Sequence, residues 1–590
     1  MWVLGISCYY HDSAVALIDD DEITFAIHEE RLSRRKQDAR FPALAVGRAL
    51  EAARLRINDL DRIVFYEDPE VKLNRLWDQV IDYWPRSRRL YDEDIPRFIH
   101  HKMPIADQIR KHLGYHGAIE NSEHHRSHAA STFFTSPFER AVIVTLDGVG
   151  EYETATVHLG EGNRLTKLRS IHFPHSLGLF YSVFTQYLGF EVNEGEYKVM
   201  GMAPFGRPRY VDKVWKLVNQ ESDGSFRLNM DYFTFHRSTH QMYGGKFVEL
   251  FGTPRDPAAH FFTPSSGHPS YFGARPASYD ALARQNQHYA DVAASIQRVT
   301  EEMLLKMTSH LHRETGLKRL CLAGGVALNS VANGRILRET PFEELFIQPA
   351  AGDGGGALGA ALVGCHMVLG KPRDFVLRHA YWGQEFSAGD VDTFVRSNNI
   401  AHTRLEDDDR LLGRVVEHLQ SGKVVGWFQG RFELGPRALG NRSILADPRN
   451  PAMKDIVNTK IKFREPFRPF APSVLVERAS EFFDLTEAHR HHPARYMLYV
   501  VDVKDGQRER IPAVTHVDGT ARLQTVDAES APRYWRLIHT FGQATGAPVL
   551  LNTSFNLKGE PIVNTPAEAF STFSRSGMDV LVMGQHVVEK

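Results

Sequence analysis

MWVLGISCYYHDSAVALIDDDEITFAIHE, residues 1–29, carries the signal that decides the fold. Trp2 to Ser7, Ala14 to Ile18 and Ile23 to Ile27 are apolar runs of strand length, and the Asp19-Asp20-Asp21 cluster turns the chain between the last two. The pattern returns from Ala141. Val142 to Leu146 is a buried-type run that stops at Asp147-Gly148, followed by Thr154 to Leu159, a Gly-Glu-Gly-Asn turn, and Leu165 to Ile171. Two β-turn-β-turn-β units separated by helical sequence predict a duplicated α/β architecture with a cleft between its halves.

That pattern resembles the actin, sugar-kinase and Hsp70 ATPase (ASKHA) superfamily, in which the first turn of each half faces the nucleotide phosphates. Fold alone does not give a reaction. Residues 208–282, rich in aromatic, His, Gly and Pro residues, read as an insertion over the cleft, and Ala283 to Thr315 as a long amphipathic helix. Gly354 to Gly370 is the most apolar stretch. It is too short for a membrane span and reads as a buried helix ended by the charged, proline-containing run Lys371 to Arg378. A domain boundary placed there divides the chain into residues 1–370 and 381–590.

The chain has 590 residues, enough at about 150 per domain for two to four domains. Lys and Arg number 70 against 72 Asp and Glu, so no general basic field exists for nucleic acid or an anionic membrane, and any anion site is local. A hydrophobic share of 42% with 24% charged residues excludes a disordered chain. Three cysteines at no finger or redox spacing point to a reducing compartment. With no basic n-region or long apolar core at the N-terminus, the expected location is cytoplasmic.

His124 and His128 in EHHRSHAA stand at i and i+4, so on a helix both imidazoles project from one face toward a shared divalent ion while His125 points elsewhere. An isolated pair of this spacing is more often a polar helix start. Asp147, ending a buried strand, and Asp353, in PAAGDGGGALG just after the run Leu345 to Gln348, change the weight. Two His and two Asp suit Fe(II), Mn(II) or Zn(II) alike. The turns LDGVGE (146–151), AGGVALNS (323–330) and AGDGGGALG (351–359) each follow an apolar run, and their glycines let backbone N–H groups approach a nucleotide. Gly354-x-Gly356-x-x-Gly359 matches a dinucleotide fingerprint but lacks the βαβ unit around it, and no Walker A or G-x-S-x-G sequence occurs. His11, in YYHDSA, occupies the first turn, where an imidazole can take a proton from a hydroxyl; a turn histidine capped by Asp12 is an equal reading.

The C-terminal part holds a different set. GRFELGPRALGNRS carries Arg431, Arg437 and Arg442, and KIKFREPFRPFAP carries Lys460, Lys462, Arg464 and Arg468. THVDGTARLQTV adds His516 and Arg522, and LLNTSFNLKGEP adds Asn552, Asn556 and Lys558. Cations interleaved with prolines, glycines and buried-type runs predict an enclosed pocket for a small anion such as a phosphate ester. HRHHP at 489–493 reads as an exposed loop.

YYHDSA, HEERLSRRKQD, EHHRSHAAS, LDGVGE, EGEYKVMGMAPFG, AGGVALN, PAAGDGGGALGAAL, GRFELGPRALGNRSILADPR, REPFRPFAP and LNTSFN stand in one order along the chain. In that order they resemble the O-carbamoyltransferases of secondary metabolism, typified by the tobramycin, cephalosporin and nodulation-factor enzymes. The resemblance covers nearly the whole chain. It implies an ASKHA-type carbamoyl-transfer domain followed by a domain similar to threonylcarbamoyl-adenylate synthases. Carbamoyl phosphate would lose phosphate in the second domain, and the carbamate would attack the α-phosphate of ATP to give carbamoyl adenylate and pyrophosphate. The adenylate would pass through the interior to the first domain, where an acceptor hydroxyl takes the carbamoyl group and AMP leaves.

The same resemblance makes His124, His128, Asp147 and Asp353 ligands of a metal, iron first and manganese or zinc next, with Mg accompanying ATP. It makes His11 the catalytic base, and it sets Gly148, Gly195, Glu196, Gly324, Gly325 and Asn329 around the nucleotide. Arg437, Arg468, Arg522 and Asn552 would bind carbamoyl phosphate. The expected partner is a small-molecule alcohol, with no nucleic acid or membrane, for a monomer or homodimer. ARYML at 494–498, where the family has Ser-Pro-aromatic-Met, departs from its pattern. Two other readings are a threonylcarbamoyl transferase acting on tRNA, for which the net charge of -2 gives no footprint, and a nucleotide-switched actin-family binding protein, which needs no second cationic pocket.

Overall fold

The computed structural model describes residues 1–590. The chain forms two compact units that are not continuous in sequence. Unit 1 comprises Met1–Thr24 and Ala39–Val376, and unit 2 comprises Phe25–Asp38 and Leu377–Lys590.

Unit 1 is α/β and duplicated. Its first sheet holds β1 (Trp2–Ser7), β2 (Ala14–Asp19), β3 (Glu22–His28), β4 (Arg62–Phe65) and β5 (Ala118–Asn121) in the order β3-β2-β1-β4-β5. Its second holds β6 (Arg140–Leu146), β7 (Glu153–Glu161), β8 (Arg164–His172), β11 (Arg319–Ala323) and β12 (Glu344–Phe346) in the order β12-β11-β6-β7-β8; β9 (Val218–Gln220) and β10 (Phe226–Leu228) form a separate hairpin. In both sheets an antiparallel ribbon opens the unit and two parallel strands follow beside its first strand. Counted within its own half, each sheet has the same strand order, the duplicated ASKHA topology.

Four helices carry the site or its support: α1 (His124–Phe133), α2 (Leu177–Tyr187), α3 (Tyr279–Thr315) and α4 (Gly356–Leu362). The buried helix α4 lies between the first sheet and α1 at backbone contact. A Cβ on Gly5 of β1 would overlap the backbone oxygen of Ala357, and one on Gly359 would overlap that of Ser127 in α1. Glycine is required at both places by the close approach. The 208–282 stretch is not featureless: Phe247 is fully buried and meets Phe184 of α2 at 5.2 Å and Phe251 at 4.8 Å between ring centroids. Helix α3 starts at Tyr279, four residues before the expected Ala283. No helix is long and apolar enough to cross a membrane.

Unit 2 is built on one mixed nine-stranded sheet. Its strands are β13 (Thr403–Arg404), β14 (Val425–Phe428), β15 (Arg442–Ala446), β16 (Ala471–Leu475), β17 (Tyr499–Asp502), β18 (Thr520–Val526), β19 (Val549–Ser554), β20 (Val580–Met583) and β21 (His586–Glu589). They run in the order β13-β21-β20-β14-β15-β19-β16-β18-β17. Trp427, Leu445, Leu475, Leu537, Phe541 and Leu550 belong to its core. Asn552 pairs with Ala471, and Ser473 with Gln524. With the two-residue period of strands, this register puts Asn552, Ser473, Gln524 and Arg522 on one face.

Candidate metal centre and anion site

Helix α1 sets His124 and His128 one turn apart, while Asp147 follows the last residue of β6 and Asp353 opens the tight turn before α4. The four side chains offer donor atoms that all lie within 4.8 Å of one another. His124 Nε2 is 3.0 Å from Asp147 Oδ2 and 3.7 Å from Asp353 Oδ1. His128 Nε2 is 3.1 Å from His124 Nε2, 3.5 Å from Asp353 Oδ1 and 3.6 Å from Asp147 Oδ2. Donors held about 2.1 Å from one ion stand about 3.0 Å apart at right angles and about 3.4 Å apart at the tetrahedral angle. The five edges that involve a histidine, 3.0–3.7 Å, run from that size to slightly beyond it. His124, His128 and Asp353 are at most 2% exposed, and neither Asp353 oxygen has a hydrogen-bond partner. Two facing imidazole nitrogens beside two buried carboxylates fit a divalent cation.

Electrostatics give the same sign. Burial opposes charge on His128, yet Asp147 and Asp353 outweigh it and push its pKa up to about 9. Burial likewise works against ionised Asp147, but the hydrogen bonds of His124 and His128 hold its carboxyl well below the usual range. His125 turns away, its Nδ1 2.6 Å from Thr145 Oγ1 and its Nε2 3.0 Å from Glu153 O. Burial and the two neighbouring histidines press its pKa far down. The Gly325 N–H donates to Asp147 Oδ1 at 2.9 Å, and Ser176, which caps α2, donates to the carbonyls of Asp147 and Gly148.

Behind His124 lies a group the sequence reasoning missed. Glu67, fully buried, accepts from Lys72 at 2.7 Å and pairs with Lys102, with His124 Nδ1 at 3.8 Å. Burial alone would raise the Glu67 pKa, but the two lysines draw it down to about 2. A signal existed: Glu67 follows the apolar run through Tyr66 much as Asp147 follows Leu146. Glu151 was missed too, and its carboxylate takes the backbone N–H of His124 and of Asp68.

His11 stands in the β1–β2 turn with Nε2 3.6 Å from Asp353 Oδ2 and Nδ1 3.2 Å from Asp12 Oδ2. Burial opposes its protonation, but Asp353 and Asp12 carry the pKa up to about 9. Gly325 touches the centre through Asp147, Gly148 follows Asp147 in the chain, and Gly324 packs against the Leu146 backbone. The other three residues expected around the nucleotide have structural partners. Asn329 Oδ1 caps the helix that begins at Ser330, and its amide pairs with Gln297 at 3.0 and 3.1 Å. Glu196 Oε1 accepts from Ser182 Oγ and from the Asn193 N–H, and a Cβ on Gly195 would strike Glu191 O and Phe190.

In unit 2, Asn552 donates to Gln524 Oε1 at 2.9 Å, Ser473 Oγ at 3.2 Å and Ala438 O at 3.3 Å, leaving its own Oδ1 buried without a hydrogen-bond partner. Gln524 donates to Leu439 O at 2.7 Å. The loop that carries Arg437 thus lies on the face that holds Asn552 and Arg522. Glu433 shapes this loop: one carboxylate oxygen accepts the N–H groups of Leu439, Asn441 and Arg442.

Two cations of the same motif are engaged by backbone carbonyls instead. Arg442 is fully buried, with its guanidinium on the carbonyls of Gln429 and Gly430 and over the Phe428 ring, and Arg431 bonds Gly383 O and Trp382 O. Lys462, from the next motif, is buried against Ser554 and Asn556. Its pKa lies well below the ordinary 10.5, through burial and then through Arg464 and Arg468. His516 is pushed down to about 4 by burial, with Asp518 opposing and Arg522 and Lys454 adding. In both groups burial is the larger cause and the nearby cations add to it.

Residues 2–362 match the family described as Carbamoyltransferase N-terminus, and residues 416–590 match Carbamoyltransferase C-terminus. The protein sll1178 of Synechocystis is 44% identical over all of this chain and 96% of its own length. The nodulation protein NolNO of Sinorhizobium fredii is 37% identical over 99% of this chain and 79% of its own length. The 3'-hydroxymethylcephem-O-carbamoyltransferase of Streptomyces clavuligerus is 37% identical over 42% of this chain and 44% of that protein. Two family matches that together span nearly the entire sequence leave one assignment: the chain belongs to the carbamoyltransferase family, enzymes that transfer carbamoyl groups.

Proposed function

We propose that the chain is an ATP-dependent O-carbamoyltransferase that converts carbamoyl phosphate and ATP to carbamoyl adenylate and passes the carbamoyl group to a hydroxyl of a small-molecule natural product. The observation that carries this reading is the presence, in one chain, of a buried two-His two-Asp centre beside His11 and of a sheet face that sets Asn552 and Arg522 beside the loop of Arg437. The first suits acyl transfer to an alcohol. The second suits a phosphate ester.

In unit 2, Arg437, Arg468, Arg522 and Lys462 would offset the phosphate charge, and the Asn552 Oδ1 would accept from the carbamoyl NH2. Hydrolysis of the P–O bond releases phosphate and carbamate. A carbamate oxygen then bonds to the ATP α-phosphorus as pyrophosphate leaves. Carbamate decomposes in water, so burial of Asn552 and Lys462 protects the intermediate.

In unit 1, His11, whose raised pKa would fall once a bound cation offsets the Asp353 charge, would take the proton of the acceptor hydroxyl as its oxygen attacks the carbamoyl carbon and the bond to AMP breaks. Gly148, Gly324 and Gly325 would present backbone to the nucleotide, with Gly195, Glu196 and Asn329 supporting that wall. His124, His128, Asp147 and Asp353 would hold a divalent ion, Fe(II) by the family resemblance, which when bound supplies positive charge for the departing phosphate. The cytoplasm, a monomer or homodimer, and no nucleic acid or membrane partner complete the reading. The S. clavuligerus relative named for a hydroxymethylcephem acceptor favours an alcohol of that class.

The test supplies purified protein with ATP, carbamoyl phosphate and a panel of hydroxylated natural products. AMP and pyrophosphate must form, and one alcohol must gain the carbamoyl mass increment. Release of ADP in place of AMP would sink the reading.

A further inference from the structure

Residues 25–38 are the only part of unit 2 that precedes residue 377, and their side chains grip both loops of the anion site. Arg31, 5% exposed, donates through Nη2 to Gly435 O at 3.1 Å and lies 5.4 Å from the centroid of the Phe432 ring. Gly435 stands two residues before Arg437 in the loop that Glu433 folds over Asn552 and Gln524. Arg34 donates to two successive carbonyls of the other loop, Pro561 O at 2.8 Å and Ile562 O at 2.6 Å, and pairs with Glu568 at 3.3 Å. That loop runs on from Asn556, which accepts Lys462, and Asn556 in turn donates to Glu560 O.

The two loops meet beneath the arginines in a small buried cluster of Phe432, Ala438 and Ile562. The segment itself is braced: Arg31 pairs with Glu30 at 2.6 Å, Glu30 accepts the Gln37 N–H at 2.7 Å, and the Ala26 N–H donates to Trp382 O.

We propose that residues 25–38 are a clamp that completes the anion site of unit 2, with Arg31 and Arg34 as positioning residues that fix the loops carrying Arg437 and the Lys462–Asn556 pair. The inference rests on the reading of that site as the one for carbamoyl phosphate. A planar guanidinium suits the task because it serves two carbonyls at a fixed spacing, which a lysine ammonium cannot reproduce.

The experiment measures carbamoyl-phosphate-dependent pyrophosphate release by the full chain and by its Arg31→Met, Arg34→Met and Arg34→Lys variants. The carbamoyl phosphate KM should rise about 10-fold in all three while the ATP KM stays within about 2-fold, because loop position affects one ligand and not the other. Equal rises in both constants, or none, would overturn the clamp. Wild-type protein that releases no pyrophosphate would instead reject the carbamoyl phosphate reading. Should the variants not fold, amide exchange of the wild type settles the point. Added carbamoyl phosphate should slow exchange in residues 29–37 together with 435–442, and protection confined to 435–442 would overturn the clamp.

Discussion

Asp353 shows how much one side chain decides in this molecule. Its two oxygens lie buried with no hydrogen bond, within 3.7 Å of three imidazole nitrogens. Such a carboxylate is costly unless a cation sits beside it. Asp353→Asn removes that cost and one anionic donor together, so the variant should fold while its metal content falls below about a tenth of the wild-type value, since even outer partners of a metal centre contribute 10–100-fold in affinity. Elemental analysis after dialysis decides it, and unchanged metal content would refute the ligand assignment. Lys462 offers a second residue-scale test. Its folded pKa is depressed, so the unfolded chain binds the proton that the folded chain gives up, and this group makes stability rise as pH climbs from the folded value toward 10.5. A bound anion reverses the depression. Inorganic phosphate should therefore bind with proton uptake at pH values inside that window, seen as a buffer-dependent heat in calorimetry, and Lys462→Met should abolish the uptake. Proton release on binding to the wild type would contradict the pocket.

Elements were legible in sequence where their periodicity was local. The strands Trp2–Ser7 and Ala14–Asp19, and the helix that aligns His124 with His128, follow from runs and spacings a reader can count. Contacts between distant elements leave no such trace. Nothing around Gly359 announces that its α-carbon touches the backbone of Ser127, and nothing in GRFELGPRALGNRS separates Arg442, spent on carbonyls, from Arg437. The Gly359 contact presses α4 onto the helix that carries His124 and His128. Gly359→Ala should cost about 3 kcal/mol, the upper end for overpacking, and should lower the affinity for the metal because α1 must shift. Thermal unfolding followed with and without added metal measures both effects, and a variant as stable as the wild type would show that the helices can part without loss.

The whole molecule holds its two candidate sites in separately built units, and the division bears on what the sequence could and could not convey. The order of motifs, read as a set, was enough to reach the family that both domain matches assign. That residues 25–38 leave unit 1 midway along β3 to join unit 2 was not, because HEERLSRRKQD looks like any solvated charged turn until its arginines find carbonyls more than four hundred residues away. If pyrophosphate is made in unit 2 and the carbamoyl group is handed over in unit 1, lesions in the two must fail differently. His11→Ala should lower carbamoylation of the acceptor by about 10²–10⁴-fold, the span of general-base catalysis, while carbamoyl-phosphate-dependent pyrophosphate release continues. Asn552→Ala, which strips the face of its buried acceptor atom with no hydrogen-bond partner, should depress both outputs together by about 10-fold or more. Measuring pyrophosphate and carbamoylated product in the same reaction gives their ratio directly. A ratio near one in the wild type that collapses in the His11 variant and survives in the Asn552 variant is the signature of two steps in series. Identical ratios in both variants would mean that one centre performs both.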